Sequence, residues 1–184
     1  MIGIVDIETT GFLKCGGKIV EVGIAGLDLE TGKVSELFHS ICREEGLKGR
    51  DRNAWIFQNS DLLVEDVRQA PLFTDIQPEI QSIMDSCDGV TAYNKKFDFD
   101  FFRDRGLTIN NELDCPMLLA TKVCKIPNKN GRKGNKWPTV EEAWAFFYPS
   151  SPYVEQHRGL DDAIHEAKII YALHKFGHYQ NIGK

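Results

Sequence analysis

Residues 2–11 read IGIVDIETTG, an apolar run that carries two acids, Asp6 and Glu8, two positions apart. The run Ile2 to Glu8 is apolar enough for a central β-strand, in which side chains at i and i+2 point to the same face. Two buried carboxylates that close repel each other, and burial raises their pKa values. A divalent cation between them removes this penalty, because carboxylate oxygens are ligands that Mg²⁺ accepts. The stretch therefore predicts a central strand with a cation site.

A plainer interpretation is that Asp6 and Glu8 mark a strand that ends at the protein surface, since two acids separated by one residue are common. The next three residues, Thr9, Thr10 and Gly11, favour a site. A turn of small residues after a strand lets backbone N–H groups approach a ligand closely. The pair alone leaves both interpretations open.

Alternating apolar residues around this stretch predict the other strands. They lie at Lys18 to Leu29, at Lys33 to Cys42 and, as a short buried run, at Gly89 to Tyr93. The first two are joined by a hairpin turn. Residues 54–71 mix aromatic, apolar and acidic side chains without a clean period, so no element is assigned there.

Three- and four-residue spacing of apolar side chains predicts helices between and after these strands. One covers Phe73 to Met84 with Asp75 as its N-cap, one begins near Lys95 and ends at Gly106, and another begins after Asp114. Two more open on a capping box of Thr139 and Glu142 and near Leu160. Strands first, then helices interleaved with a further strand, indicate an α/β fold with a mixed sheet.

Composition indicates one ordinary globular domain. With 184 residues, 42% of them hydrophobic, the chain forms one well-buried core, and residues 1–184 are expected to be a single domain. Five widely spaced cysteines without a C-x-x-C pair argue against a disulfide framework and a zinc cluster. No apolar stretch is long enough to span a bilayer, so a soluble, cytoplasmic protein is expected. The net charge of −5 gives no sign of a nucleic-acid-binding module.

Two later segments add acids to the first pair. The segment 94–98, NKKFD, places Asp98 in a helix directly after the predicted strand at 89–93. The segment 157–163, HRGLDDA, places His157 before the last helix and Asp161 and Asp162 in its first turn. Taken singly, each segment is as easily an ordinary amphipathic helix or a helix start, where acids are stabilised anyway.

Together, D-x-E-T-T-G, N-x-x-F-D and H-x₄-D-A resemble the DEDDh exonucleases, the DnaQ-like family that includes the proofreading epsilon subunit of bacterial DNA polymerase III. The match spans Asp6 to Ala163. The resemblance implies a ribonuclease H-like fold with a central five-stranded mixed sheet flanked by helices. It also implies four metal-binding carboxylates and a histidine general base, and these are Asp6, Glu8, Asp98 and Asp162, with His157 as the base. The histidine spacing selects Asp162, and Asp161 is left to pair with His165.

The same resemblance implies the reaction. Two divalent cations, Mg²⁺ or Mn²⁺, would hold the scissile phosphate while nucleic acid is hydrolysed from its 3′ end to nucleoside 5′-monophosphates. Backbone at Thr9, Thr10 and Gly11 would contact the terminal nucleotide, Phe12 would stack on a base or pack in the core, and Asn94 and Phe97 would support the site. Single-stranded DNA is the expected substrate in preference to RNA, and a polymerase partner, if there is one, would act in trans.

Two other functions stay open. One is a 3′-to-5′ exoribonuclease similar to oligoribonuclease or ribonuclease T, and the other is a catalytically silent nucleic-acid-binding module that kept the fold. The second is disfavoured because all five site residues are present. Six basic residues line a Gly- and Asn-rich stretch that runs up to Trp137, and they suit either a mobile loop over a phosphate backbone or a solvated loop. They are Lys122, Lys125, Lys129, Arg132, Lys133 and Lys136.

Overall fold

The computed structural model describes residues 1–129 and 133–179, and in this part of the chain a four-stranded mixed sheet forms the centre. Its strands are β1 (Ile2–Thr9), β2 (Ile19–Leu27), β3 (Val34–Ile41) and β4 (Gly89–Thr91), in the order β3-β2-β1-β4. β1 pairs with β2 antiparallel and with β4 parallel, and β2 pairs with β3 antiparallel. The opening stretch is thus an interior strand, as its apolar character predicts.

Helices flank this sheet. They are α1 (Ile56–Asn59), α2 (Val64–Gln69), α3 (Phe73–Ser86), α4 (Lys95–Asp104), α5 (Pro116–Cys124), α6 (Val140–Phe147) and α7 (Gly159–Lys175), with short 3₁₀ turns at Leu13–Cys15 and Gly49–Asn53. The α/β architecture with a mixed sheet and flanking helices is confirmed. The last helix, α7, lies against β1, β2 and β3.

The alternation of side chains along β1 divides the core between two faces of the sheet. Val5 and Ile7 belong to a cluster completed by α3 and α4, whereas Ile2 and Ile4 pack with residues of α7. Burying each of these side chains contributes about 1.5–3 kcal/mol relative to exposing it. Because strand side chains repeat with period two, Asp6 and Glu8 continue the row of Ile2 and Ile4 toward α7.

The fifth strand implied by the family resemblance is a wrong prediction, because the sheet formed by the described residues has four strands. Its place beyond β4 is occupied by residues 111–113, which form only an isolated parallel bridge between Val90 and Glu112. Val90 donates to the Asn111 carbonyl at 2.8 Å, and Leu113 donates back to the Val90 carbonyl at 2.9 Å. The chain turns into α5 at Pro116 directly afterwards, so the extended segment is too short to continue the ladder.

Most helix predictions are confirmed, with one exception. α4 and α6 begin where predicted, Gly106 has a φ of +85° after the end of α4, and Thr139 and Glu142 form the capping box. The prediction that Asp75 is an N-cap is wrong. α3 begins at Phe73 after Leu72, and Asp75 in its first turn accepts the Leu72 N–H at 3.3 Å.

The unassigned residues 54–71 form α1 and α2. Ile56, Leu62 and Val67 are buried there and pack with Val20 of β2. Three of the five cysteines are buried. Among the described residues, no helix combines the length and apolar character needed to cross a membrane.

Candidate active site

The four acids and the histidine singled out from the sequence are brought to one end of β1. Asp6 and Glu8 lie on β1 itself, Asp98 lies in the first turn of α4, and Asp162 lies in the first turn of α7. His157 precedes α7. One ligand atom from each of Glu8, His157 and Asp162 lies within 4.8 Å of the others, close enough to share a cation.

Two glycines allow α7 to approach the sheet at this point. Gly23 of β2 pairs with Asp6, and a Cβ placed on Gly23 would lie 2.2 Å from the backbone carbon of Gly159 and the backbone nitrogen of Leu160. A Cβ on Gly159 would lie 2.9 Å from the Gly23 nitrogen. The first turn of α7 therefore lies directly on the sheet, and this close contact brings Asp162 to the acids of β1.

Hydrogen bonds fix two of the carboxylates. The Ile7 N–H donates to Asp98 Oδ1 at 3.3 Å, which ties α4 to β1. The Tyr153 hydroxyl donates to Asp162 Oδ1 at 2.5 Å, and the Arg158 N–H donates to Asp162 Oδ2 at 2.8 Å. Both carboxylates are thus oriented before any ligand binds.

Burial raises the pKa values of all four acids, and repulsion from neighbouring acids adds to the effect at Asp6, Glu8 and Asp162. Desolvation is the largest cause in each case. It raises the pKa of Asp6 well above its ordinary value, with Glu166 and Glu8 adding repulsion. The pKa of Glu8 is raised to about 9 and that of Asp98 to about 7, and the pKa of Asp162 is also raised. The cluster is too crowded with negative charge to be fully ionised without cations.

The donor set fits divalent cations. Asp6 Oδ2 is the one buried side-chain nitrogen or oxygen without a hydrogen-bond partner among the described residues. Native structures pair such atoms, and an unpaired oxygen in a group of crowded carboxylates is in the position of a cation ligand. Hard carboxylate oxygens suit Mg²⁺ or Mn²⁺. Asp6, Glu8, Asp98 and Asp162 are therefore the residues that could hold the metal.

Three acids near the site were not identified from the sequence patterns. Glu166 lies one turn after Asp162 on α7, is buried, and accepts the Tyr93 N–H at 3.2 Å. Its pKa is raised well above the ordinary value by burial. Desolvation also raises the pKa of Glu155 to about 7. Glu21 of β2 pairs across from Glu8 and is fully buried. The four-residue spacing from Asp162 could have revealed Glu166, whereas Glu21 becomes apparent only with the strand register.

The segments expected to contact substrate lie beside the carboxylates of β1. Thr9 Oγ1 donates to the Gly11 carbonyl at 3.1 Å, and Thr10 Oγ1 accepts the Lys18 N–H at 3.0 Å, so this turn is preshaped. Phe12 is 64% exposed and meets the Phe97 ring edge-on at 6.3 Å. Core packing of Phe12, one of the two roles expected, is therefore wrong.

Phe12 and Phe97 line one hollow. It has a volume of about 400 Å³ and also includes Asn94, which precedes α4. Its lining also includes Leu13 and Phe101.

Part of the basic stretch forms a small hairpin before α6. Pro127 bridges Asn135, and the Lys136 N–H donates to the Ile126 carbonyl at 2.9 Å. Lys136 pairs with Glu142 at 2.7 Å, while Lys129 and Lys133 are exposed and Trp137 is 63% exposed. Arg132 lies outside the described residues.

The hairpin continues into residues that border the carboxylates. The Tyr93 hydroxyl donates to the Thr139 carbonyl at 3.3 Å, and the Glu155 N–H donates to Glu141 of α6 at 3.1 Å. These two bonds tie the segment after the hairpin to Tyr93 and to the loop that carries Glu155.

Solved structures share this fold. A full-length 3′-exonuclease superposes with a TM-score of 0.70 at 14% identity, over 96% of this chain and 60% of its own length. The nuclease domain of 3′hExo, described as a DEDDh family member bound to rAMP, gives 0.66 at 15% identity over 100% and 96%. A 3′-exonuclease that recognises the histone mRNA stem-loop gives 0.58 at 16% over 96% and 82%.

At identities this low the likeness shows the fold alone. The chain spans 60% of the length of the full-length 3′-exonuclease, so that protein has chain outside the shared region. No protein-family model and no curated protein sequence matches this chain.

Proposed function

We propose that this protein is a metal-dependent 3′-to-5′ exonuclease of the DEDDh type, which releases nucleoside 5′-monophosphates from nucleic acid. The observation that carries the proposal is the cluster itself. Ligand atoms of Glu8, His157 and Asp162 lie within 4.8 Å of one another, Asp6 is near enough to Asp98 and Asp162 to be repelled by them, and Asp6 Oδ2 is buried without a hydrogen-bond partner among the described residues. The same fold in solved 3′-exonucleases supports it.

The side chains have distinct roles in this proposal. Asp6, Glu8, Asp98 and Asp162 would hold two divalent cations, which would stabilise negative charge on the phosphate when bound. His157, in its neutral form, accepts the proton of the attacking water at an imidazole nitrogen. The Tyr153 hydroxyl keeps Asp162 oriented through the bond at 2.5 Å.

The 3′ end of the nucleic acid would be held by the turn after β1 and by the aromatic hollow. Backbone at Thr9, Thr10 and Gly11 borders the site, and the exposed Phe12 ring beside Phe97 can stack on a base. Such stacking contributes about 1–3 kcal/mol per base in proteins that bind single strands. The exposed lysines of the hairpin would contact phosphates further from the 3′ end.

Two substrate classes remain candidates. The D-x-E-T-T-G and N-x-x-F-D segments favour DNA. The rAMP bound to 3′hExo and the histone mRNA stem-loop recognised by a second structural neighbour favour RNA. A 2′-hydroxyl contact decides between them, and no residue in the sequence identifies one. A role in proofreading, with a polymerase supplied in trans, follows from the motif resemblance alone.

The test is a comparison of three substrates labelled at the 5′ end: single-stranded DNA, mismatched duplex DNA and RNA of the same sequence. We expect stepwise shortening from the 3′ end with Mg²⁺ or Mn²⁺ and none with chelator. The ratio of the DNA and RNA rates assigns the substrate class. Binding without cleavage of any substrate would favour the silent module, provided that the Asp162→Asn variant binds equally well.

A further inference from the structure

The backbone of His157 has a conformation that is uncommon for a residue other than glycine. Its φ is +54°, in the left-handed region that residues other than glycine adopt only when their surroundings impose it. Its ring lies edge-on against Trp55, with centroids 4.6 Å apart. Trp55 is 57% exposed, so this contact on the outer side is not a rigid wall. The residue that follows His157 in the chain is held by more contacts.

That next residue, Arg158, is held on three sides. Its Nε and Nη2 donate to the two oxygens of Glu21 at 3.0 and 3.1 Å. Its Nη1 donates to Asp61 Oδ1 at 2.6 Å. Its backbone N–H donates to Asp162 Oδ2 at 2.8 Å, and its carbonyl accepts the Asp162 N–H at 2.9 Å. Both the side chain and the backbone of Arg158 are therefore fixed.

The inner anchor is part of the sheet. Glu21 is fully buried on β2, directly across from Glu8, and its Oε1 also lies 2.6 Å from His39 Nε2. A buried carboxylate beside a second carboxylate needs a cationic partner, and the planar guanidinium supplies two parallel donors. The position of Arg158 is thus fixed by β2, the strand that pairs with β1, on which Asp6 and Glu8 lie.

We propose that Arg158 is a positioning residue for the reaction. Clamped between Glu21 and Asp61, it imposes the strained backbone of His157 and so directs the imidazole toward Glu8 and Asp162. The role toward catalysis rests on the proposed function, whereas the clamp itself is a statement about where the His157 ring lies. Arg158 itself touches no reacting atom.

A first experiment measures the position of the His157 ring and does not depend on enzymatic activity. The aromatic protons of His157 carry a ring-current shift from Trp55, which NMR detects in the cation-free protein. We expect Arg158→Ala to move these resonances to the values of a free histidine, and Arg158→Lys, which keeps the charge but loses the fork, to move them part of the way. Ile80→Val, in a part of the core formed by α3, should leave them unchanged and controls for general destabilisation. Unmoved resonances in Arg158→Ala overturn the clamp.

A second experiment measures catalysis on single-stranded substrate. We expect Arg158→Ala to lower kcat about 10- to 100-fold, with KM within about threefold, because a misplaced base slows the chemical step. Arg158→Lys should recover part of the loss and Ile80→Val should retain kcat. A rise in KM at constant kcat would assign Arg158 to substrate binding instead and overturn the proposal.

The two experiments separate two failures. If the wild-type protein degrades no substrate, the proposed function fails while the NMR result still decides the clamp. If Arg158→Ala does not fold, Glu21→Gln removes the inner charge while keeping a hydrogen-bonding partner, and the same shift of the His157 resonances is expected. Native resonances in Glu21→Gln together with native resonances in Arg158→Lys would contradict the clamp.

Discussion

At the scale of single residues, the site is a set of carboxyl groups that the fold keeps close together although they repel each other. Asp6 and Glu8 could be identified from the sequence by elementary reasoning, because two acids on one face of a buried strand require compensation. Asp98, Asp162 and His157 could not, since each also fits an ordinary helix or loop. Only their order and spacing distinguished them, and Glu21 and Glu166, which no motif marks, complete the charge pattern.

Replacing one of these acids should separate activity from stability. We expect Asp6→Asn and Asp162→Asn to lower activity about 100-fold or more, because a bound cation contributes several kcal/mol to the transition state. The melting temperature in chelator should stay the same or rise, since the variant replaces a carboxyl group whose ionisation its acidic neighbours oppose with a neutral amide. Activity assays and thermal melts of the same preparations check this. A matching collapse of the melting temperature would indicate a purely structural acid.

The raised pKa values give the cation-free protein a characteristic pH dependence. Glu8, with a pKa raised from 4.5 to about 9, and Asp98, raised from 3.8 to about 7, bind more protons when folded than when unfolded. Their contribution to stability therefore falls as the pH rises through this window and is restored toward pH 4. The melting temperature measured in chelator should therefore fall between pH 5 and pH 9.

Glu8→Gln is the control for this pH dependence, and its profile should be flatter than that of the wild type. Added Mg²⁺ should raise the melting temperature more at pH 8 than at pH 6, because it binds the ionised acids of the folded state. An identical Mg²⁺ effect at both pH values would argue against a carboxylate site.

At the scale of elements, the site depends on how closely α7 meets β2. Gly23→Ala should prevent this contact, because the added methyl group would lie 2.2 Å from backbone atoms that cannot move aside. Overpacking of this kind costs about 1–3 kcal/mol or more. Gly49→Ala is the matched control, since nothing lies within 4 Å of its added methyl. Denaturant melts measure both, and equal stability of the two variants would contradict the close packing of α7 on β2.

The basic hairpin before α6 gives a second prediction for an element. If Lys129 and Lys133 contact phosphates away from the 3′ end, Lys129→Ala with Lys133→Ala should weaken binding of a long strand and leave a dinucleotide unaffected. The dependence of binding on salt should also become less steep, by about 0.7 for each single-strand phosphate that the variant no longer neutralises. Fluorescence anisotropy with both lengths checks this. An equal loss of affinity for both lengths would place the lysines elsewhere.

The elements themselves were mostly predictable. Strands and helices with strong periodicity, such as β1, α4 and α6, follow from local pattern and capping. The predicted N-cap at Asp75 failed because Asp is as favourable in the first turn as at the cap. α1 and α2 were missed because they are short and are stabilised by packing on Val20 rather than by their own pattern.

At the scale of the whole molecule, the α/β architecture was predictable, whereas the fifth strand implied by the family resemblance is not part of the described sheet. The segment at 111–113 occupies the place of a fifth strand but makes only one bridge, a difference set by where Pro116 starts the next helix. The fold is shared with solved 3′-exonucleases at 14–16% identity. The convergence of the acids, rather than overall likeness, therefore carries the functional proposal.

The most direct test of that proposal is the order in which a strand is shortened. A single-stranded oligonucleotide labelled at its 5′ end is incubated with the wild-type protein and with Asp162→Asn, in Mg²⁺ and in chelator, and the products are separated by length and identified. The proposal predicts a ladder that shortens one nucleotide at a time from the 3′ end, release of nucleoside 5′-monophosphates, and neither in chelator nor with Asp162→Asn. Shortening from the 5′ end, or equal activity in chelator, would contradict it.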